Sequence, residues 1–467
     1  MNYRKLRINL FWLIIPLMMS GCSKGSPSPT YTPPSPPPST NTDTLPAQYG
    51  TPFANVPNTK DIIMYEVNIR AFGPSHNFQS VISRLDSIKN LGVNVLWLMP
   101  IYPVGKLNSI NSPYCVQNYT AVNPDFGTLN DIKTLVSTAH SKGMSVILDW
   151  VADHTSWDNV WISNKSWYLQ NASGNIISPP GQNWTDVAAL NFSNSDMRKA
   201  MISAMKYWLL AANVDGFRCD YADGPPADFW AQAFDSLKIM NPAHKLILLA
   251  ESSNNALCND GFQLNYAWDF LTSLKNVFGS NQTATTLFTT NSSENSNLPT
   301  GDFKLRLTTN HDEDGTNTPI TNFGGKQGSL AAFVLASYMG GVPLVYSGQE
   351  VGDPNKITIF DTSTIDWTIN PDMLIAYKNL LNFRNTSDVV KQGSIVTFTN
   401  SPDVTAFERI QGTDTVLVLV NVRNNAVTYS LDASLMNTQW KDAMQNNVPV
   451  QLSNSMVLPA YGYMILH

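Results

Sequence analysis

The sequence predicts an α/β protein: a (β/α)8 TIM barrel with a short lid insertion after strand 3 and a C-terminal antiparallel β-sandwich domain. Three observations predict it. From Asp61 onward, short apolar runs alternate with longer amphipathic ones, and eight of the short runs qualify as strands. Several of these, Val93–Met99 above all, are almost continuously apolar, as strands buried on both faces are. After Phe383 the helical periodicity gives way to short runs separated by polar turns. A chain of 467 residues, 43% hydrophobic and only 14% charged, has the length and apolar content for a barrel of ~250 residues plus a smaller domain.

The N-terminus reads as a targeting segment. Arg4, Lys5 and Arg7 precede the apolar run Leu10–Met19, too short to span a bilayer, which takes ~20 residues. The run ends in Met19-Ser20-Gly21-Cys22, which resembles a bacterial lipobox, so residues 1–22 are expected to be a lipoprotein signal peptide with Cys22 lipidated. The alternative is an ordinary signal peptide with an incidental cysteine. Ser23 rather than Asp after Cys22 resembles the sorting signal for the outer membrane of a Gram-negative bacterium. The expectation is an exported protein held on the membrane through Cys22. Residues 23–50 read as a Pro/Ser/Thr-rich linker, with eight of the chain's 29 prolines between residues 23 and 46. Of the other cysteines, Cys115, Cys219 and Cys258, none shares a CxxC spacing, which argues against a zinc site. They are expected to be free structural thiols. The net charge of −6 argues against nucleic acid as a partner.

Residues 51–384 form the expected barrel. Ile62–Val67 opens it as a strand, and Phe78–Leu91 follows with helical spacing. The strand Val93–Met99 and the helix Leu129–Lys142 come next, then the strand Ser145–Leu148. A polar, aromatic and Gly/Pro-rich interval, residues 155–192, breaks the rhythm and is the expected lid. The helix Met197–Ala212, the strand Asp215–Cys219, the helix Ala227–Met240 and the strand Leu246–Ala250 continue the alternation. Gln263–Trp268, Lys304–Thr309 and Val342–Tyr346 complete the eight strands. Residues 385–467 then supply Ser394–Phe398, Thr405–Ile410, Thr415–Val422, Ala426–Tyr429, Met456–Leu458 and Tyr463–Leu466 for the sandwich.

Barrel enzymes carry their reacting groups at the C-terminal strand ends. Here those ends read Asp149-Trp150-Val151-Ala152-Asp153-His154, Arg218-Cys219-Asp220, Glu251 and Asn310-His311-Asp312. A single acid there is usually a cap or loop residue; acids recurring on one rim point to catalysis. Two carboxylates flanking a bond are what glycoside hydrolysis needs. Arg218 and Asp220 share a strand face, and the guanidinium should keep Asp220 ionised as the nucleophile. Glu251 follows an apolar strand with no cation beside it in sequence, so desolvation should keep it protonated as the general acid. His154 and His311 are expected to be neutral donors to sugar hydroxyls.

These motifs resemble the α-amylase family, glycoside hydrolase family 13, from about Asp61 to the C-terminus. Asp149-x-Val151-x-x-His154, Gly216-x-Arg218-x-Asp220, Glu251 and Asn310-His311-Asp312 match its four signature regions in order. Tyr119–Thr128, Tyr65–Arg70 and Gly348-Gln349-Glu350 match further stretches. The resemblance implies a retaining hydrolase of α-glucosidic bonds, with Asp220 as nucleophile, Glu251 as acid/base and Asp312 binding the sugar hydroxyls. It implies that Tyr114 stacks under the cleaved sugar and that His154, Arg218 and His311 complete that subsite. No cofactor is required. The family's structural calcium is put in question: Asp153 stands where many members have Asn, and Ala189 and Gly224 fall at two other ligand positions.

The expected function is an α-amylase cleaving α-1,4 bonds in α-glucan polysaccharides or oligosaccharides. The alternatives are an α-1,6-glucosidase, a maltogenic or transglycosylating relative sharing these motifs, or a non-catalytic glucan-binding lipoprotein. The last is disfavoured because all three catalytic carboxylates are present.

Overall fold

The computed structural model describes residues 45–467. The apolar run Leu10–Met19, Cys22 and most of the Pro-rich linker lie outside the described residues. The barrel opens with β1 (Met64–Val67), β2 (Val95–Leu98) and β3 (Ser145–Val151). After β3 the insertion contributes β4 (His154–Ser156) and β5 (Val187–Ala189), which pair antiparallel. The barrel resumes with β6 (Gly216–Asp220), β7 (Ile247–Ala250), β8 (Leu264–Tyr266), β9 (Phe303–Arg306) and β10 (Val342–Tyr346). It closes in the order β1-β10-β9-β8-β7-β6-β3-β2. All residues of β1, β2, β3, β7, β8 and β10 are buried, which is why their runs show no polar alternation.

The helices that wrap the barrel form where the apolar spacing demands. Ser195–Ala211 buries Met197, Met201, Met205 and Trp208 on one side, and Asn194 caps it by accepting from the amides of Asp196 and Met197. Leu129–Ser141 starts in a reciprocal capping box between Thr128 and Asp131. Gly216 starts β6 at φ 147°, and a side chain there would stand 1.9 Å from the carbonyl oxygen of Ile247. This close approach of β6 to β7 seats Arg218 and Asp220 beside Glu251.

The structure corrects four local expectations. The single helix over Phe78–Leu91 is two, Phe78–Ile82 and Leu85–Asn90, broken at Arg84, whose guanidinium lies 3.9 Å over the Trp367 ring. The strand expected over Lys304–Thr309 stops at Arg306, because Asn310 caps a short helix, His311–Asp314. Helices do not stop at Phe383: Pro371–Thr386 and Asp388–Gln392 carry the chain to the C-terminal sheet. The end of the expected linker is docked: the Tyr49 amide donates to Leu210 O (2.7 Å). The first residues of the expected barrel follow it, with Asn213 Nδ2 donating to Thr51 O (2.8 Å) and Phe53 stacked on His140 with centroids 4.4 Å apart. Those partners precede barrel strands, so this segment lies at the base of the barrel.

The C-terminal sheet contains β11 (Ser394–Phe398), β12 (Val404–Gln411), β13 (Asp414–Asn421), β15 (Gln439–Asp442), β16 (Val448–Gln451) and β18 (Tyr463–Leu466). It runs in the order β11-β12-β13-β18-β15-β16, and a separate pair is made by β14 (Val427–Ser430) and β17 (Ser455–Leu458). Strands β15 and β16 have no counterpart in the sequence reading, since they are mostly polar or exposed. The period of two divides the large sheet. Val404, Ala406, Leu417, Leu419 and Leu466 join Tyr429 and Leu458 in the sandwich core. Phe407, Val416, Val418, Val420 and Ile465 turn the other way into the barrel's own core. Cys115, Cys219 and Cys258 are buried free thiols.

Candidate active site

Strand register brings the acids together. Asp149 pairs with Arg218 and Val151 with Asp220 across β3 and β6, while Cys219 pairs with Ala250 across β6 and β7. Asp220 and Glu251 therefore sit one step past a paired position, on adjacent strands. Arg218 is fully buried, and its Nη1 donates to Asp149 Oδ1 at 2.8 Å and to Asp220 Oδ1 at 2.7 Å. Its Nη2 lies 2.9 Å from Glu251 Oε1. This overturns the expectation that Glu251 has no cation beside it. The pairing joins residues 33 positions apart on different strands, which no local pattern displays.

Burial raises Asp220 to about 6, with Arg218 working against it and Asp149 and Asp153 adding to it. Burial likewise raises Glu251 to about 7; Arg218 opposes, and Asp220 and Asp312 reinforce. The guanidinium thus does not hold Asp220 below the ordinary carboxylate range. The order the chemistry needs is nonetheless kept, with the glutamate holding its proton to higher pH.

Around this clamp the other residues form a chain of bonds. Tyr114 donates its hydroxyl to Asp149 Oδ2 (3.0 Å) and lies 2.7 Å from His311 Nε2. Trp97 Nε1 donates to the same Asp149 oxygen at 3.1 Å. The Tyr114 and His311 rings stack with centroids 5.2 Å apart, and Arg218 lies 5.0 Å over the Trp97 ring. His311 is set by Asn310, whose side chain accepts from the amides of Asp312 and Glu313 and fixes the first turn of the short helix. Asp312 lies 3.4 Å from His311 Nε2, with a half-exposed side chain.

The histidines are not neutral, as the sequence had suggested. Burial would depress the His311 imidazolium, but Asp312 and Glu66 outweigh it and push it up to about 9. For His154, Asp153 and Asp220 similarly overcome burial, again to about 9. His154 Nδ1 lies 2.9 Å from Asp153 Oδ1, and Nε2 lies 3.2 Å from Tyr114 O. Both ring nitrogens are thus engaged within the protein, bracing the loop that carries Tyr114.

Residues the sequence reading did not place in the site also shape it. Tyr221 adopts φ 39°, a left-handed backbone costly for a side chain of its size. This turn points its amide at Glu251 Oε2, 2.8 Å away. Its hydroxyl accepts from Gln182 at 3.0 Å, and its ring meets Trp184 edge-on at 5.2 Å. Gly224 leaves the room: a side chain there would fall 2.8 Å from the Tyr221 ring. The insertion therefore reaches Glu251 through Tyr221. Gln349 and Glu350, by contrast, are internal braces, with Glu350 accepting from Tyr65 OH at 2.7 Å and Gln349 bonded to Thr308 and Tyr377.

The positions of the family's calcium ligands converge but do not suit the ion. The Leu190 amide donates to Asp153 O, Ala189 pairs with His154, and Gly224 abuts Asp153. Asp153, His154 and Asp220 each offer an atom within 4.8 Å of the others. Yet Asp220 is held by Arg218, Asp153 by a cationic His154, and Ala189 offers only a methyl. A carboxylate already neutralised by an imidazolium is a poor ligand for a hard dication, which takes 6–8 oxygens.

A parallel barrel with two carboxylates clamped by one arginine on its C-terminal rim is a glycoside hydrolase scaffold. Residues 49–176 match the family description "Alpha amylase, catalytic domain", and residues 395–465 match "Maltogenic Amylase, C-terminal domain". The chain is 28% identical over 370 residues to alpha-amylase 3 of Dictyoglomus thermophilum, covering 67% of this chain and 69% of that protein. It is 23% identical over 418 residues to alpha-amylase 2 of the same organism, covering 84% and 70%. The crystal structure of a noncanonic maltogenic alpha-amylase, AmyB from Thermotoga neapolitana, superposes with a TM-score of 0.79 at 25% identity, covering 88% of this chain and 99% of that one. By these matches the chain is similar to the α-amylase family, glycoside hydrolase family 13, in both its barrel and its C-terminal sheet.

Proposed function

We propose that the protein is a retaining α-amylase that cleaves α-1,4-glucosidic bonds in starch-like glucans and maltooligosaccharides. The observation that supports it most is Arg218 contacting Asp220 and Glu251 at once, on adjacent strands. Retaining enzymes keep their carboxyls about 5–5.5 Å apart so that one can touch the sugar carbon. In the first step Asp220 attacks the anomeric carbon as Glu251 gives its proton to the departing glycosidic oxygen. In the second, Glu251 takes a proton from water, whose oxygen displaces Asp220. Both inversions together restore the α configuration. The Tyr114–His311 stack forms the floor for the reacting glucose, and Asp312 faces its hydroxyls.

A maltogenic reading has its own support in the match of the C-terminal domain and in the likeness to the maltogenic alpha-amylase of Thermotoga neapolitana. Digestion of amylose, pullulan and maltotriose separates the two. The amylase reading expects a ladder of maltooligosaccharides from amylose and little release from pullulan. Maltose as nearly the sole product favours the maltogenic enzyme, and cleavage of the α-1,6 bonds of pullulan overturns the linkage assigned. We also propose that Cys22 carries a lipid anchor that places the enzyme on the outer membrane.

A further inference from the structure

Glu66, the third residue of β1, is completely buried and makes an ion pair of 2.5 Å with His311 Nδ1. Its second carboxylate oxygen has no hydrogen-bond partner. A buried carboxylate with one bare oxygen is costly unless a cation lies against it. Proton bookkeeping identifies that cation. The Tyr114 hydroxyl has one hydrogen, and Asp149 Oδ2 receives it. Its contact with His311 Nε2 therefore requires the proton to be on the histidine. With Nδ1 turned to a carboxylate, the ring carries both protons.

We propose that Glu66 is a positioning residue that acts through His311, fixing the ring as an imidazolium whose Nε2–H holds the Tyr114 hydroxyl at the seat of the reacting sugar. A charged donor makes roughly twice as strong a hydrogen bond as a neutral one, so the imidazolium fixes the Tyr114 ring more firmly than a neutral histidine would. The groups facing His311 come from several strands: Glu66 on β1, Trp97 on β2, Asp149 after the apolar part of β3, Arg218 on β6, Tyr114 from a loop, and Asp312 beside it. Around Glu66 also stand Tyr346 on β10 and Asp314. Arg218 opposes the imidazolium, and of the acids Glu66 lies closest to the ring.

The test uses Glu66→Gln, which keeps the side chain's size and one acceptor but removes its charge. The expected result is a kcat/KM lower by roughly tenfold or more with KM little changed, and a His311 ring that, followed by nitrogen-15 NMR, loses a proton about one pH unit lower than in the wild type. In a double-mutant cycle, adding Glu66→Gln to His311→Gln should cost little more, because the two act as one unit. An unchanged His311 titration, or fully additive losses, overturns the proposal. If Glu66→Gln fails to fold, nitrogen-15 NMR of the wild-type histidines decides: His311 is expected to keep both ring protons at pH 8. A ring that loses one near the ordinary histidine pKa, about 6.5, overturns the proposal. Loss of all glucanase activity in the wild type would instead count against the functional reading on which this proposal rests.

Discussion

At the residue scale the chemistry turns on two carboxyls that burial shifts in the same direction by different amounts. In the proposed mechanism Asp220 must be ionised to attack, and that form is lost as pH falls through about 6. Glu251 must in the same mechanism be protonated to serve as acid, and that form is lost as pH rises through about 7. A narrow bell in kcat/KM with a mildly acidic optimum is expected, its two apparent values belonging to the pair rather than to either residue. The check is a pH series on a soluble maltooligosaccharide; a flat profile from about pH 5 to pH 9 would contradict it. Part of this site could be read from the chain. Arg218 and Asp220 lie two apart on a strand and must share a face. The contact of Arg218 with Glu251, the Glu66–His311 pair spanning 245 positions and the left-handed turn at Tyr221 could not, since register and loop closure create them.

At the element scale, runs with a strong period were legible almost to the residue: Ala227–Met240, Val342–Tyr346 and Ser394–Phe398 fall as expected. Failures occurred where a side chain outweighs the period. Arg84 leaves its helix to stack on Trp367, and Asn310 ends β9 early by capping the next turn. The polar strands β15 and β16 hold through pairing in the large sheet, which no run of residues announces. The insertion shows the same interplay. β4 and β5 are pinned by His154–Asp153 and by pairing with Ala189, in the place where the family's calcium ligands gather. Because an ion pair and a methyl stand there, a calcium chelator is expected to leave the melting temperature essentially unchanged. A sharp drop that calcium reverses would show that Asp153 does serve as a ligand.

At the scale of the whole molecule, the described chain enters the barrel at its base, through Tyr49, Thr51 and Phe53, while the acids stand at the C-terminal strand ends. No helix among the described residues is long and apolar enough to cross a membrane. The proposed anchor is a lipid on Cys22, which lies outside the described residues. Cys22→Ser is expected to shift the protein from the membrane fraction to the soluble one with its glucanase activity intact. Wild-type protein found soluble and uncleaved at Cys22 would contradict the anchor.

The central claim is double displacement at Asp220, and the stereochemistry of fresh product tests it most directly. Proton NMR during the first minutes of hydrolysis should show the α-anomer of the new reducing end appearing first and mutarotating afterwards. Asp220→Asn, which replaces a nucleophilic carboxylate with an amide, should lower the rate by roughly a thousandfold or more, about 4 kcal/mol of transition-state stabilisation. Initial release of the β-anomer, or an Asp220→Asn enzyme turning over at a near-normal rate, would contradict the account.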